Sequence, residues 1–170
     1  ARADWLEHPA IVKQVVTGGK QRQDSVFNGY QALPANTDII LVHDGVRPFL
    51  SKDMIQETIN IAAEFGAAIT AIPVNDTIKQ VDSSGKVERT VEREGLWRVQ
   101  TPQAFRYDLL GEAFRKAQKH SFYGTDEGAL IENLGKEVRI VNGSEWNLKI
   151  TRPEDLVLGE SIVAKLFPEA

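Results

Sequence analysis

The segment that says most about the fold is Ile39-Ile40-Leu41-Val42-His43-Asp44-Gly45-Val46-Arg47-Pro48. Its first four residues form a short aliphatic run before polar turn residues, which is typical of a buried β-strand. Ligands of open α/β sheets bind beyond the carboxyl ends of the strands. Asp44, Gly45 and Arg47 would follow such an end, where a carboxylate can hold a metal and an arginine can pair with an anion. The alternative interpretation of these residues is a loop salt bridge ahead of a helix.

Composition narrows the class of protein. The chain has 170 residues with a net charge of −4, which suits a single domain over residues 1–170 and disfavours broad nucleic-acid binding. The absence of cysteine excludes a disulfide framework, a thiol nucleophile and a cysteine-ligated zinc site, and it fits a reducing compartment. No apolar run has the length needed to span a bilayer, so we expect neither a nucleic acid nor a membrane as partner.

Strands and helices alternate along the chain, and this pattern predicts an α/β domain with a largely parallel sheet. Thr90 and Val91, after the turn at 82–85, predict one half of an exposed hairpin. The predicted helices cover 24–33, 52–65, 107–119 and 126–134, with a further helix after Thr151. The predicted strands cover 11–16, 39–42, 67–74, 138–141 and 148–150.

A glycine-rich segment, Gly18-Gly19-Lys20-Gln21-Arg22-Gln23-Asp24-Ser25, follows the first predicted strand and leads into a helix. Glycines there allow backbone N–H groups to face an anion or the edge of a base, and a helix N-terminus favours negative charge. Arg22 adds a charged fork and Ser25 a hydroxyl. The segment matches neither the GxGxxG nor the Walker pattern, so a tight turn before a solvated helix start remains the alternative.

Two further segments carry candidate phosphate-binding groups. Lys149 lies within the predicted strand 148–150, where a lysine must either face solvent or find an anion. Thr77, between Asp76 and Lys79, closes another predicted strand and is the second candidate. The alternative for the charges around Thr77 is a solvated ribbon.

The segments at Thr101 and Thr125 can be explained by local structure as well as by ligand binding. Thr101 precedes Pro102 and is therefore extended, which either aims its hydroxyl at a ligand or ends a strand. Thr125-Asp126-Glu127 has the pattern of an N-cap followed by first-turn acids.

Taken in order, these segments resemble the 2-C-methyl-D-erythritol 4-phosphate cytidylyltransferase family (IspD family) of non-mevalonate isoprenoid biosynthesis. The resemblance covers essentially the whole chain and is specific because six short motifs occur in the family's order and spacing. The matching segments are 18–26, 42–48, 76–79, 93–103, 125–126 and 147–156. The resemblance implies a Rossmann-like, three-layer α/β/α nucleotidyltransferase domain with a projecting β-arm at about 75–95. It also implies CTP and a phosphorylated polyol as substrates, Mg²⁺ as cofactor, and a homodimer formed through the arm.

The resemblance also assigns roles to residues, position by position. The catalytic residues would be Lys149 at the α-phosphate, Asp44 holding Mg²⁺ near the CTP phosphates, and Arg93 reaching the substrate phosphate of the partner subunit. The nucleotide would be bound by Gly18, Gly19, Lys20, Ser25, Asp44 and Gly45. The polyol phosphate would be bound by Arg47, Thr77, Arg93, Thr101, Thr125 and Lys149.

The sequence departs from the family at its start. Members begin with a strand and a glycine-rich loop carrying an arginine and a lysine, and residues 1–170 do not contain such a segment. We therefore expect an N-terminally incomplete domain lacking one or more strands. We expect a bacterial cytoplasmic location, and a plastid stays open.

Two other functions stay open at this point. One is ribitol-5-phosphate cytidylyltransferase, a sister enzyme of the same fold. The motifs Asp76-Thr77-Ile78-Lys79 and Leu96-Trp97 favour the methylerythritol substrate. The other is an inactive fragment that serves only as a binding or dimerisation domain.

Overall fold

The computed structural model describes residues 12–166, and within this range there are five helices and six strands. The helices are α1 (Arg22–Gln31), α2 (Lys52–Phe65), α3 (Tyr107–Lys119), α4 (Glu127–Leu134) and α5 (Pro153–Leu166). The strands are β1 (Ile39–Val42), β2 (Ala67–Pro73), β3 (Ile78–Val81), β4 (Val87–Val91), β5 (Trp97–Arg106) and β6 (Arg139–Asn142). The predicted order of elements is thus present, apart from two predicted strands.

The main sheet has the strand order β1-β5-β2-β6. Strands β1, β2 and β6 run in one direction, as the alternating pattern predicted, whereas β5 is antiparallel to both β1 and β2. The antiparallel strand was not predicted. It arises because β2 and β5 are joined through the β3–β4 ribbon, so the chain returns beside β2 in the opposite direction.

Helices cover both faces of the sheet. On one face, α1, α3 and α4 pack through a cluster that includes Phe27, Phe114 and Ile131. On the other face, Ala62 of α2 packs against Ala68 and neighbouring residues of the sheet. The sheet therefore lies between two layers of helices, which is the predicted α/β/α arrangement.

The ends of two helices follow from local chemistry. The Ser51 hydroxyl accepts a hydrogen bond from the Met54 N–H at the start of α2, and Gly66 ends this helix at φ +97°. The Asp126 carboxylate accepts from Ala129 at the start of α4, and Gly135 ends it in the left-handed conformation. The boundaries of α2 and the end of α4 were predicted, because caps depend on residues close in sequence, whereas α4 begins one residue later than predicted because Asp126 is its N-cap.

Strand β5 bulges where it passes Thr70 of β2. The register shifts between Ile69 and Ala71. The displaced carbonyls accept hydrogen bonds from side chains instead of from the neighbouring strand. The Thr70 hydroxyl donates to the Pro102 carbonyl at 2.7 Å, and the Asn147 amide donates to the Thr101 carbonyl at 2.8 Å. Thr101 therefore does not end a strand, and the bulge turns it toward the loop after β1.

Strands β3 and β4 form a ribbon, and among the described residues they pair only with each other. Its turn is at 82–85, where the Asp82 carboxylate accepts from the backbone N–H groups of Ser84 and Lys86 and Gly85 has φ +84°. The predicted exposed hairpin is confirmed. The assignment of residues 75–95 as a dimer arm within a single domain stays a prediction.

Two predicted strands are absent from the described part of the chain. Residues 12–16 have no strand pairing, and Ile11 lies outside the described residues. Residues 148–150 form an extended loop, held by a hydrogen bond from the Ile150 N–H to the Val46 carbonyl. Both segments are apolar enough for a strand, but a strand also needs a neighbour for its ladder, which local sequence does not specify.

Candidate active site

Asp44 lies in the loop after β1, at the carboxyl end of the strand as predicted. Its backbone N–H donates to the Thr101 hydroxyl at 3.0 Å, and its carbonyl accepts from the Arg47 N–H at 2.9 Å. The buried strand and this turn fix the direction of the carboxylate. The side chain is 16% exposed, so one face of it stays open to a ligand.

Three cationic side chains surround the Asp44 carboxylate. Lys149 Nζ lies 3.0 Å from Oδ2, an Arg22 Nη lies 3.5 Å from Oδ1, and Arg47 Nε lies 3.9 Å from Oδ2. Partial burial by itself would raise the pKa of Asp44, but the Lys149 hydrogen bond and the three positive charges outweigh it, so the pKa is lowered. The cluster therefore pairs one ionised carboxylate with three cations, and an incoming phosphate would meet an excess of positive charge.

Lys149 reaches this cluster from the loop after β6. Asn147, which is fully buried, fastens that loop to the β5 bulge by donating to the Thr101 carbonyl at 2.8 Å and to the Gln100 side chain at 3.2 Å. The Asn147 carbonyl accepts from Arg47 Nη at 2.6 Å. The anion sought by Lys149, as the sequence predicted, is the carboxylate of Asp44.

His43 joins the two ends of the Asp44 loop. Its Nε2 lies 2.9 Å from the Arg47 carbonyl and its Nδ1 lies 3.0 Å from the Thr101 hydroxyl. A carbonyl can only accept, so the ring donates to it through Nε2. The Thr101 hydroxyl accepts from the Asp44 backbone N–H and lies within hydrogen-bond distance of Nδ1. No sequence pattern indicated this role, because the three partners meet only in the tertiary structure.

Arg47 is nearly buried beside Asp44, and burial lowers the pKa of its guanidinium although Asp44 opposes the shift. Its Nε is one of two buried side-chain polar atoms without a hydrogen-bond partner in residues 12–166, the other being Asn147 Oδ1. A buried donor of this kind normally finds a partner. An oxygen of a bound anion would supply one.

Arg22 extends the cluster toward α4. It donates from one Nη to both oxygens of Glu127, at 2.8 and 2.7 Å. Burial raises the pKa of the Glu127 carboxyl, and the Arg22 guanidinium offsets part of that effect. The sequence predicted only a first-turn acid at Glu127. A signal was present, since Glu127 shares a helix face with the apolar Leu130 and Ile131 at spacings of three and four.

The glycine-rich segment before α1 forms the predicted tight turn. The Gly19 N–H donates to the Ser25 hydroxyl at 2.9 Å, and that hydroxyl lies 3.2 Å from the Gln21 carbonyl. A Cβ at Gly19 would overlap Asp24, whereas Lys20 is exposed. Glycine at position 19 is therefore required by the turn itself. The nucleotide-binding role of Gly18, Gly19, Lys20 and Ser25 stays a prediction.

The remaining predicted residues differ in how close they come to this cluster. A Cβ at Gly45 would meet no atom within 4 Å, so packing does not require a glycine there. Thr125 is exposed just before the Asp126 cap. Thr77 is exposed at the base of the ribbon, and the Arg93 guanidinium donates to the Asn75 carbonyl. In the part of the chain that is described, no hydrogen bond connects Thr77 or Arg93 to Asp44.

The side chains available as metal ligands can be compared with the predicted Mg²⁺ site. Residues 12–166 contain no group of three or more histidine, cysteine, aspartate or glutamate side chains able to hold a metal. Mg²⁺ is commonly bound through one or two carboxylates together with substrate phosphates. Asp44 fits the role of such a single carboxylate for a nucleotide-bound ion.

Residues 12–166 include no helix that is long and apolar enough to cross a membrane.

Comparison with known proteins identifies the family of this chain. Residues 3–165 match the family model described as IspD: 2-C-methyl-D-erythritol 4-phosphate cytidylyltransferase. The chain belongs to this family. The enzyme of that name from Pelotomaculum thermopropionicum is 50% identical over 152 residues, 89% of this chain and 64% of the relative. Its counterpart from Clostridioides difficile is 49% identical over 88% of this chain and 63% of the relative. The chain therefore spans somewhat less than two thirds of these two relatives.

Solved structures of the IspD family share the fold. The enzyme from Thermus thermophilus superposes with a TM-score of 0.79 at 37% identity, covering 86% of this chain and 71% of that chain. The 4-diphosphocytidyl-2C-methyl-D-erythritol synthase from Anaerococcus prevotii gives a TM-score of 0.82 at 32% identity, covering 95% and 75%. The resemblance and the α/β nucleotidyltransferase fold predicted from the sequence are both confirmed.

Proposed function

We propose that the protein containing this chain transfers CMP from CTP to 2-C-methyl-D-erythritol 4-phosphate, forming 4-diphosphocytidyl-2-C-methyl-D-erythritol and pyrophosphate. The observation that carries the proposal is the group of three cations, Lys149, Arg22 and Arg47, around the single carboxylate of Asp44. Family membership supports it, and the relatives named above carry the methylerythritol name, which favours that substrate over ribitol 5-phosphate.

The reaction needs positioning more than proton transfer. A phosphate monoester is already an anionic nucleophile, so no general base has to activate it. One of its oxygens attacks the α-phosphorus of CTP, and pyrophosphate leaves as the P–O bond breaks. The difficulty is to bring two anions together and to stabilise the charge on the attacked phosphorus, which fixed cations achieve electrostatically.

Each cation has a part in this scheme. Lys149 leaves Asp44 and contacts the α-phosphate oxygens in the transition state. Arg47 gives its unpartnered Nε to the polyol phosphate. Arg22 lies in the glycine-rich segment that would bind the nucleotide. A Cβ at Gly45 would meet no atom within 4 Å, so this position would leave room for the nucleotide. Thr77 and Thr125, both exposed, would add hydroxyl donors to the polyol phosphate.

A metal ion, a second subunit and a location complete the proposal. Mg²⁺ held by Asp44 and the CTP phosphates would offset the charge of the leaving pyrophosphate. Arg93, which does not join the cluster of its own chain in the described residues, would act on the phosphate bound by a partner subunit of a homodimer. The reaction would take place in the bacterial cytoplasm.

The experiment is a matrix of substrates assayed for pyrophosphate release, using the whole protein with any residues encoded before Ala1. CTP with 2-C-methyl-D-erythritol 4-phosphate should support turnover, and CTP with ribitol 5-phosphate should be far slower. Faster turnover with ribitol 5-phosphate would identify the sister enzyme instead. CTP binding without turnover on either polyol would identify a binding or dimerisation domain.

A further inference from the structure

Glu127 is a buried carboxylate without a role in the scheme above. It is the first residue of α4, it is 1% exposed, and it faces the sheet side of the helix with Leu130 and Ile131. Both of its oxygens accept from the same Nη of Arg22. Glutamate is almost never fully buried unless it is paired, so its place inside the protein depends on Arg22.

Arg22 uses its two amino groups differently. One is held by Glu127 at 2.7 and 2.8 Å, and the other lies 3.5 Å from Asp44 Oδ1. The side chain is 39% exposed, so part of the guanidinium remains open beside Asp44. A free arginine would sample many rotamers, whereas this one is fixed through its inner amino group while its outer edge faces the cluster.

Stability is a weak explanation for this arrangement. Removing a carboxylate from water is costly, and a well-packed apolar residue often stabilises a fold as well as a buried ion pair does. An exposed arginine would also be solvated without Glu127. The contact is better explained by the orientation that Glu127 gives to Arg22, because groups that orient a ligand-binding side chain are commonly needed for function.

We propose that Glu127 is a positioning residue, which holds Arg22 so that its outer amino group faces the Asp44 cluster and the anion bound there. The consequence for catalysis rests on the proposed cytidylyl transfer, whereas the effect on Arg22 does not. Glu127 also connects the start of α4, next to Thr125, to Arg22, the first residue of α1 and part of the glycine-rich segment. The two segments expected to bind the two substrates are thereby held at a fixed separation.

The first test measures the orientation of Arg22 directly. In the whole protein, arginine side-chain NMR should show separate, slowly exchanging Nη–H signals for Arg22, and Glu127→Gln should average them while the melting temperature changes by only a few degrees. CTP binding measured by calorimetry should weaken about tenfold. Glu137→Gln is the matched control, because Glu137 pairs with Arg139 at 2.7 Å on an exposed surface. Unchanged Arg22 signals in Glu127→Gln would overturn the proposal.

The second test is a double-mutant cycle on kcat/KM. Glu127→Gln should lower kcat/KM about tenfold, Arg22→Gln at least as much, and the double variant should equal Arg22→Gln within about twofold. A further loss of about tenfold in the double variant would show that Glu127 acts by another route. If Glu127→Gln does not fold, Arg22→Lys replaces it, and wild-type CTP binding by Arg22→Lys would contradict the proposal. If the wild type binds CTP but lacks turnover, the proposed function fails, while the NMR and calorimetry still decide the role of Glu127.

Discussion

Lys149 and Asp44 come from loops 105 residues apart in the chain and meet in a hydrogen bond of 3.0 Å between Nζ and Oδ2. The Lys149 side chain is 45% exposed, whereas the Asp44 side chain is 16% exposed. The pair therefore lies at the mouth of the cluster, where the lysine can exchange one anion for another. A phosphate that displaces Asp44 would find the ammonium group already in place.

We expect Lys149→Ala to lower kcat by a factor of about 10² or more, as for the loss of one charged contact in a transition state. The melting temperature should change little, because a half-exposed ion pair contributes at most about 1 kcal/mol. The rate is measured by pyrophosphate release in the whole protein. Lys119→Ala, at the exposed end of α3, is the control. Wild-type turnover by folded Lys149→Ala would remove Lys149 from the mechanism.

Asp44→Asn should raise the Mg²⁺ concentration needed for half-maximal rate by about tenfold, since it keeps the shape and removes the charged oxygen ligand. Mn²⁺ binding in the presence of CTP, followed by electron paramagnetic resonance, gives a readout that does not depend on turnover. An unchanged metal requirement would reduce Asp44 to a salt-bridge partner of the three cations.

The pH dependence of stability should distinguish the two carboxylates that contact Arg22. The pKa of Glu127 is raised above 4.5 in the folded state, so its contribution to stability is present below about pH 4.5 and is lost as pH rises through the folded pKa. Glu127→Gln does not titrate there, so its stability should rise relative to that of the wild type as the pH is raised above about 4.5, measured by urea unfolding at each pH.

Asp44→Asn should show the opposite trend in the same measurement. The pKa of Asp44 is lowered below 3.8 in the folded state, so its contribution is present above about pH 4 and is lost as pH falls through the folded pKa. A constant difference from the wild type below about pH 4 for Asp44→Asn, or above about pH 4.5 for Glu127→Gln, would contradict the assigned direction for that residue.

Arg93 should act across a dimer. Whole proteins carrying Arg93→Ala or Lys149→Ala should each be nearly inactive, and mixing them should restore part of the activity because heterodimers contain one site with both residues intact. Native mass spectrometry checks that subunits exchange. Absence of restored activity after demonstrated exchange would mean that Arg93 acts within its own chain or has no role in the reaction.

Several parts of this structure were predictable because their causes are local. The boundaries of α2 follow from Ser51 and Gly66, and those of α4 from Asp126 and Gly135. The strand before Asp44 follows from four aliphatic residues. Asp44 and Lys149 were predicted as candidate site residues, since an acid at a strand end and a lysine in an apolar segment each need a special partner, and the structure brings the two together.

Other parts were missed because their partners are distant in sequence. The predicted strand 148–150 is a loop, because its backbone hydrogen bond from Ile150 goes to Val46 in the loop after β1 and not to a strand. The burial of Glu127 depends on Arg22, which lies 105 residues away. The hydrogen bond between Thr101 and His43 depends on a bulge in β5 that no local pattern announces.

The α/β class, most helices, the ribbon and the family could all be read from the amino-acid sequence, because helix caps, turns and hydrophobic periodicity depend on neighbouring residues and motif order is visible directly. The antiparallel place of β5, the three cations around Asp44 and the buried contact of Glu127 with Arg22 emerged only in the folded chain. These features depend on which strands pair and on which charged groups are buried next to each other. The free energies of strand pairing and of charge burial are set by residues that meet only after folding.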